Sequence, residues 1–309
     1  MNAKRKLIVT GAHGFVAGSV LAQAGVDWEV HAVSRNPEPA RAAATARQPG
    51  ERANRRWHIC DLLTPGEMAQ MFREVRPFAV IHTAGLADID FCQTHPELAQ
   101  AVNVDLPRNL ASLCADTGTR LVFCSTDTIF DGEHAPYKED DLPGPVNLYA
   151  ETKVQAEQLV NPPGAQAVIA RLSLVVGLPL LGTGNSFLVR LIAAFKEART
   201  VGVPEREVRT PVDVITVGRA LLELAAGNHR GIFHLAGHSR VNRLELARTI
   251  AVRFGFPLDL VVAQSAAATP GRAARPRDVS LDNGKACAEL KTPMRTLDEG
   301  LSLIVESEI

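Results

Sequence analysis

Only two tyrosines occur in the chain, Tyr137 and Tyr149, and Tyr149 is followed four residues later by Lys153. On a helix that spacing is one turn, so phenol and ammonium share a face. With seven lysines in 309 residues, such a pair arises by chance about 5% of the time, which makes its surroundings decisive. The chemistry it offers is proton exchange. A free phenol ionises near ~10, and a neighbouring cation is what brings it toward neutral pH.

A second constellation lies near the start. Gly11-Ala-His-Gly14-Phe-Val-Ala17 follows the apolar run Leu7 to Thr10 and opens a stretch, Phe15 to Ala24, apolar enough for a buried helix. Glycines permit a tight turn and leave backbone N–H groups and a helix N-terminus facing a pyrophosphate. Gly11, His13, Gly14, Phe15 and Val16 are therefore expected against a dinucleotide, with a solvent-facing imidazole the plainer reading of His13. An acidic residue about 20 positions further on would grip the ribose 2′-hydroxyl of NAD. Here that position holds Ser34-Arg35. Nothing there repels a 2′-phosphate and a guanidinium can pair with it, so NADP(H) is preferred to NAD(H). The competing reading of Arg35 is a solvated loop charge. Asp61, in Cys60-Asp61-Leu62, is placed to accept from the adenine amino group, or to cap a helix before Thr64-Pro65. The nicotinamide ring of an oxidised cofactor would also bring a second positive charge to the phenol.

These groups need a scaffold. Apolar runs at Leu7 to Thr10, Trp28 to Val33, Trp57 to Cys60, Phe78 to Thr83, Leu121 to Ser125 and Ala167 to Leu172 read as strands, most of them separated by helix-like stretches such as Pro96 to Thr117. Near-continuous apolarity within Leu121-Val-Phe-Cys124 and Ala79-Val-Ile81 fits strands covered on both faces. The fold class is α/β: a doubly wound parallel (Rossmann) sheet over residues 1–172, with a smaller substrate-binding region over 173–309 and a chain free to cross back between them. In that second region Gly218 to Ala226 and Arg243 to Phe254 read as helices and Gly231 to Leu235 as a strand; Ala263 to Asp278 is an aperiodic surface excursion or loop.

Several motifs in register resemble the extended short-chain dehydrogenase/reductase family. They are Thr10-Gly-Ala-His-Gly14, Asp61-Leu62, Ser125-Thr126 at the fifth strand's end and Tyr149-Ala-Glu-Thr-Lys153. Ser125-Thr-Asp-Thr-Ile-Phe-Asp-Gly132, Tyr137-Lys-Glu-Asp140, Pro145-Val-Asn-Leu-Tyr149 and Arg275-Pro-Arg-Asp-Val-Ser-Leu-Asp282 look like its dTDP-4-dehydrorhamnose reductase branch. The resemblance implies that Thr126 hydrogen-bonds a substrate carbonyl, Tyr149 protonates the developing alkoxide, and Lys153 binds the nicotinamide ribose and eases tyrosine ionisation, with the hydride coming from the cofactor. It further implies that Ala84 and Gly85 pass close to the cofactor, that Asn103 stabilises the active-site backbone, that Leu172 and Ser173 approach the nicotinamide, and that Asp127, Asn185, Arg209 and Arg275 face the substrate. Each arginine reads equally as a surface charge. Leu174 to Leu181 and Glu205-Arg-Glu-Val-Arg209 depart from the branch's usual loops, which leaves the ketone open: a nucleotide sugar or another.

Other readings are weighed alongside. A sugar-nucleotide epimerase or 4,6-dehydratase on the same scaffold would retain its NAD; dehydratases place Asp-Glu after the catalytic threonine, whereas Asp127-Thr128 stands here. A regulatory subunit resembling that of methionine adenosyltransferase would bind dinucleotide without turnover. The 33 basic and 34 acidic residues supply no cationic field for nucleic acid or anionic lipid. Five cysteines without short spacings, and an apolar start that ends at Thr10-Gly11, imply reduced thiols, a cytoplasmic location and no membrane segment. Cys124 reads as core. His234 and His238 are four apart, but their context reads as a strand entering a turn, so no metal is expected. A homodimer through Pro96 to Thr117 and Leu148 to Val160 is what family analogy implies.

Overall fold

The computed structural model describes residues 4–38, 54–162, 165–181, 186–264 and 271–307. The first half runs β1 (Arg5–Thr10), α1 (Phe15–Gln23), β2 (Trp28–Ser34), β3 (Arg55–Ile59), α2 (Glu67–Val75), β4 (Ala79–His82), α3 (Ile89–Thr94) and α4 (Pro96–Gln100). A π-helical turn over Ala101–Asp105 leads into α5 (Leu106–Thr117), β5 (Arg120–Thr126), α6 (Leu148–Val160) and β6 (Ala167–Leu172). All the strands pair in parallel. In β1, Leu7 and Val9 enter the core layer shared with α1, while Ile8 enters the layer shared with α2, so the strand is apolar on both faces.

The stretch read as one helix from Pro96 to Thr117 is interrupted. Pro107 has no N–H to return to the carbonyl of Asn103, and the ladder widens into the π turn at that point. The widened turn keeps Asn103 buried.

The second half runs β7 (Val175–Val176), α7 (Phe187–Lys196), β8 (Val201–Pro204), β9 (Val208–Arg209), β10 (Val212–Asp213), α8 (Val214–Ala226) and β11 (Gly231–Leu235). It ends with β12 (Val241–Asn242), α9 (Arg243–Arg253), β13 (Val261–Gln264), α10 (Gly284–Glu289) and α11 (Leu297–Glu306). The central sheet has seven strands in the order β11-β6-β5-β4-β1-β2-β3. Its seventh strand, β11, therefore comes from beyond residue 173, and α8 packs in the same apolar layer as α1. A separate core gathers α7, α9 and α11. Residues 271–283 return across the first half: Asn147 Nδ2 donates to the Ala274 carbonyl at 2.9 Å and the Tyr137 N–H to the Ser280 carbonyl at 2.9 Å. Most of the arginine-rich stretch from Arg35 to Arg56 lies outside the described residues. Among the described residues no helix is long and apolar enough to cross a membrane.

Where the chain passes from β3 back to β4, on the other side of β1, the strand order reverses. In doubly wound sheets the ligand crevice lies at such a point, outside the carboxyl ends of the strands.

Candidate active site

The glycine turn is shaped for a close approach. Gly11 has φ +68°, and a Cβ there would lie 2.8 Å from the Ala84 backbone, so turn and β4 loop touch. Gly14 donates to the Gly11 carbonyl at 2.7 Å and begins α1 without a side-chain cap, and the helix's first turn holds no acidic residue. Its amide groups are thus open to an anion from the crevice. The tip of β1 is tied to β4 by Thr10 Oγ1 and His82 Nδ1 at 2.7 Å, and by Thr83 Oγ1 donating to the Thr10 carbonyl at 2.8 Å.

At the end of β2, His13 Nδ1 meets Ser34 Oγ at 2.7 Å and the imidazole sits edge-on to Trp57, so His13 joins the turn to the strand tip. Arg35 follows on the surface. In the sequence this strand end, Ser34-Arg35-Asn36, carries no acidic residue. Asp61 is exposed and its Oδ1 accepts from the Leu63 N–H at 3.1 Å; Gly66, not Asp61, caps α2, so the capping alternative is overturned. Leu62 packs beside the α2 layer. Asn103 Oδ1 accepts from the Leu86 N–H at 2.8 Å, and its Nδ2 donates to the Leu86 carbonyl at 3.0 Å and to Thr152 Oγ1 at 3.2 Å. It thereby fixes the loop of Ala84 and Gly85 against α6, and its amide is spent on protein partners.

Asn147 caps α6, accepting from the Ala150 N–H at 2.9 Å, which sets Tyr149 in the first turn and Lys153 one turn on. The Tyr149 phenol comes near the Thr126 side chain at the tip of β5, close enough for that hydroxyl to bear on its ionisation. Lys153 Nζ donates to the Cys124 carbonyl at 2.8 Å and lies over the Phe123 ring. Burial depresses its pKa to about 8, against a smaller opposing influence of Cys124 and Glu157. Burial likewise pushes the phenol above its ordinary value; the Thr126 hydroxyl works against the rise, and Asp127 and the nearby Cys92 and Cys124 add to it. Desolvation thus outweighs any easing by the lysine in the protein alone.

Behind Thr126 lies a buried charge cluster. Asp127 Oδ2 is 3.4 Å from Arg209 Nε and accepts from Ser173 Oγ at 3.2 Å, while Oδ1 accepts from Thr126 Oγ1 at 3.3 Å. Burial raises the Asp127 carboxyl's pKa, and Arg209 and then Arg243 oppose the rise. Arg209 and Ser173, read from the sequence as substrate- and cofactor-facing, are each 4% exposed and bound to Asp127. Leu172 packs on the α1 layer. Arg243 stacks over Phe187 and approaches Glu207, which also pairs with Arg272 at 2.7 Å; burial and then Arg209 lower the Arg243 pKa to about 10. Three arginines facing two carboxylates leave positive charge beside the crevice. Arg275 forms a two-pronged pair with Asp90 of α3, both contacts at 2.8 Å. Asn185 lies outside the described residues.

Sequence reasoning missed Arg243, Glu207, Arg272 and Asp90, since an isolated charge at a helix start or in a loop carries no spacing signal. It also missed Ser125, whose Oγ is a buried polar atom without a partner next to Thr126, and His82, whose Nε2 is another. His234 lies in β11, its Nδ1 against the Asp282 carbonyl at 3.0 Å. Among the described residues no group of three or more His, Cys, Asp or Glu is placed to hold a metal ion.

A family described as the RmlD substrate binding domain matches residues 5–308. The methionine adenosyltransferase 2 subunit beta of Bos taurus is 28% identical over 246 residues, 78% of this chain and 72% of that protein. A probable low-salt glycan biosynthesis reductase of Haloferax volcanii is 30% identical over 253 residues, 80% of this chain and 83% of that one. The crystal structure of dTDP-4-dehydrorhamnose reductase from Bacillus anthracis in complex with NADP matches with a TM-score of 0.85 over 98% of this chain and 99% of the other, at 22% identity, a likeness of fold.

Proposed function

The chain belongs to the RmlD substrate-binding family, and from that premise we propose that it reduces a ketone, foremost the 4-keto group of a sugar nucleotide such as dTDP-4-dehydrorhamnose, at the expense of NADPH or NADH. The observation that carries the reading is the meeting of the Tyr149 phenol with the Thr126 hydroxyl at the carboxyl end of the sheet, one helical turn from Lys153. A nicotinamide dinucleotide fits the open α1 terminus and the Gly11 turn; Ser34 and Arg35, with no acidic residue at the strand end in the sequence, favour NADP(H).

When bound, the reduced nicotinamide supplies the hydride. Thr126 offers its hydroxyl to the carbonyl oxygen, and Tyr149, whose phenol desolvation holds in the proton-bearing form, gives its proton to that oxygen as charge develops. Lys153 spends one N–H on Cys124 and keeps two for a ribose hydroxyl. The excess positive charge of Arg209, Arg243 and Arg272 over Asp127 and Glu207 favours the phosphates of a nucleotide substrate.

The test is consumption of NADPH by the purified protein offered a panel of 4-keto sugar nucleotides. Tyr149→Phe is expected to cut turnover by about 10²- to 10⁴-fold with dinucleotide affinity kept; full activity in that variant would sink the reading. The similarity to methionine adenosyltransferase 2 subunit beta supports a second one, a dinucleotide-binding regulatory subunit. Silence on the whole ketone panel, together with an unrelated enzyme that co-purifies, would favour it.

A further inference from the structure

We propose that Arg243 is the residue that takes the diphosphate of the nucleotide substrate, while Arg209 and Arg272, each already paired with a carboxylate, hold that place open for it. The proposal rests on the reductase reading and deepens it, because it names the group by which a nucleotide-linked ketone would be chosen over a free one.

The three guanidiniums do not stand alike. Arg209 is 4% exposed, with its Nε 3.4 Å from Asp127 Oδ2 and its Nη1 donating to the Val208 carbonyl at 2.8 Å. Arg272 Nη2 donates to Glu207 Oε1 at 2.7 Å. The Arg243 guanidinium has five N–H donors, and no acceptor among the described residues takes any of them. Its neighbour Glu207 keeps Oε2 3.8 Å from Arg243 Nε, beyond hydrogen-bond reach. The two side chains start side by side, since the Arg243 N–H donates to the Glu207 carbonyl at 3.1 Å; it is Arg272 that draws the carboxylate away. Glu245, the acid in the first turn of α9, is turned back onto the Asn242 N–H at 3.0 Å.

A ring holds Arg243 instead. Its Cζ lies over Phe187, the first residue of α7, at 4.9 Å from the ring centroid. A guanidinium laid on an aromatic ring keeps its edges free, and the edges carry the donors that match two oxygens of one phosphoryl group. Charge points the same way. Arg209 with Asp127 and Arg272 with Glu207 cancel, which leaves Arg243 over, and Arg190 on α7 is a further cation acting on it. The position suits a substrate whose ketone lies at Thr126: Asp127 is the next residue in the chain, and Val241, two residues before Arg243, pairs with Arg209. The Arg243 side chain is 20% exposed, so an anion can reach it.

The probes are UDP and dTDP, titrated by calorimetry into the whole protein saturated with NADP⁺, which keeps the Gly11 turn occupied. No ketone is present, so a protein that binds them through Arg243 yet reduces nothing would sink the reductase reading and leave this one standing. Arg243→Gln is expected to weaken binding by about 10- to 100-fold, and Arg243→Lys, which keeps the charge but not the fork, by about 5- to 20-fold. Arg272→Gln frees Glu207 to close on Arg243 and is expected to weaken binding several-fold; adding Glu207→Gln is expected to restore it to within about twofold of the wild type. A wild type that binds neither nucleotide overturns the proposal, as does undiminished binding in Arg243→Gln. So does a double variant as weak as Arg272→Gln alone, which would give the phosphate to Arg272. Should Arg243→Gln fail to fold, Arg243→Lys decides, and unchanged binding there overturns the assignment.

Discussion

Lys153 and Cys124 are joined across the core: the ammonium of one donates to the backbone carbonyl of the other at 2.8 Å, with the Phe123 ring beneath the charge at 4.0 Å. A cation so held strains against its surroundings. Its folded pKa of about 8 lies below the unfolded value of 10.5. The unfolded chain therefore binds the extra proton between those values, so the penalty is complete below about pH 8 and fades as pH climbs to 10.5. The depression amounts to about 3 kcal/mol, of which the aromatic face returns part.

Lys153→Met is accordingly expected to be more stable than the wild type by about 2 kcal/mol at pH 7, with the gap closing toward pH 10.5. Dinucleotide affinity and any turnover fall in the same variant. Denaturant unfolding across that pH range is the check; a wild type more stable at pH 7 would show that the ammonium is well solvated.

Gly11→Ala forces a Cβ to within 2.8 Å of the Ala84 backbone at φ +68°. The left-handed conformation alone costs about 1–2 kcal/mol, and the overlap with backbone adds to it. A loss of about 3 kcal/mol in unfolding free energy is expected, together with loss of dinucleotide binding by calorimetry. A variant that unfolds at the wild-type denaturant midpoint would mean that the turn and the β4 loop do not meet as described.

Arg275 and Asp90 act as one unit, so removing either should have the same result. The pair fastens residues 271–283 to α3, and Ala273 N adds a further bond to Asp90 at 2.8 Å. Half of the Asp90 side chain is exposed, which limits the stability change to about 1 kcal/mol. Arg275→Ala and Asp90→Ala are both expected to raise the substrate KM several-fold. Were Arg275 instead a direct phosphate ligand, Asp90→Ala would release it and lower KM.

Acid stability should be governed by histidines kept neutral. Burial lowers His82 to about 3, with Lys153 assisting, and lowers His234 to about 4, with Arg171 assisting. Both lie below the unfolded value of 6.5, so between 6.5 and about 4 the unfolded chain takes up protons that the native protein refuses. Stability is whole above pH 6.5 and is lost as pH falls, by about 2–3 kcal/mol per histidine at pH 4.5. Denaturant unfolding at pH 7 and 4.5 measures the slope, and His234→Gln should flatten it; an unchanged slope in that variant would place the proton elsewhere.

What the sequence made legible followed from local rules. Strands buried on both faces announce themselves by composition, and the Leu148 to Val160 helix is the one observed, because its Asn147 cap and periodicity agree. The Tyr149 and Lys153 spacing required only that helix. Partners remote in the chain were illegible. Nothing in Gly231 to Leu235 says that it lies beside Ala167 to Leu172, and nothing in Arg209 says that Asp127, just past the end of β5, will neutralise it. A guanidinium in a loop reads as a surface charge or a ligand, and only the packing of two regions shows a buried pair. Likewise Arg171 reads as one polar residue in an apolar strand; its partner Glu157 comes from α6, one turn beyond Lys153, at 2.8 Å.

The place of β11 in the sheet bears on how the protein is made. Until Gly231 to Leu235 has left the ribosome, the outer rim of β6 is a row of unclaimed amide and carbonyl groups flanked by apolar side chains. More than two-thirds of the polypeptide is synthesised in that condition, with the nascent sheet liable to recruit a stranger's strand in place of its own. Biogenesis of the nucleotide-binding half is hence completed from the carboxyl-terminal side, and a message cut short before codon 231 should yield inclusion bodies rather than a free-standing fragment.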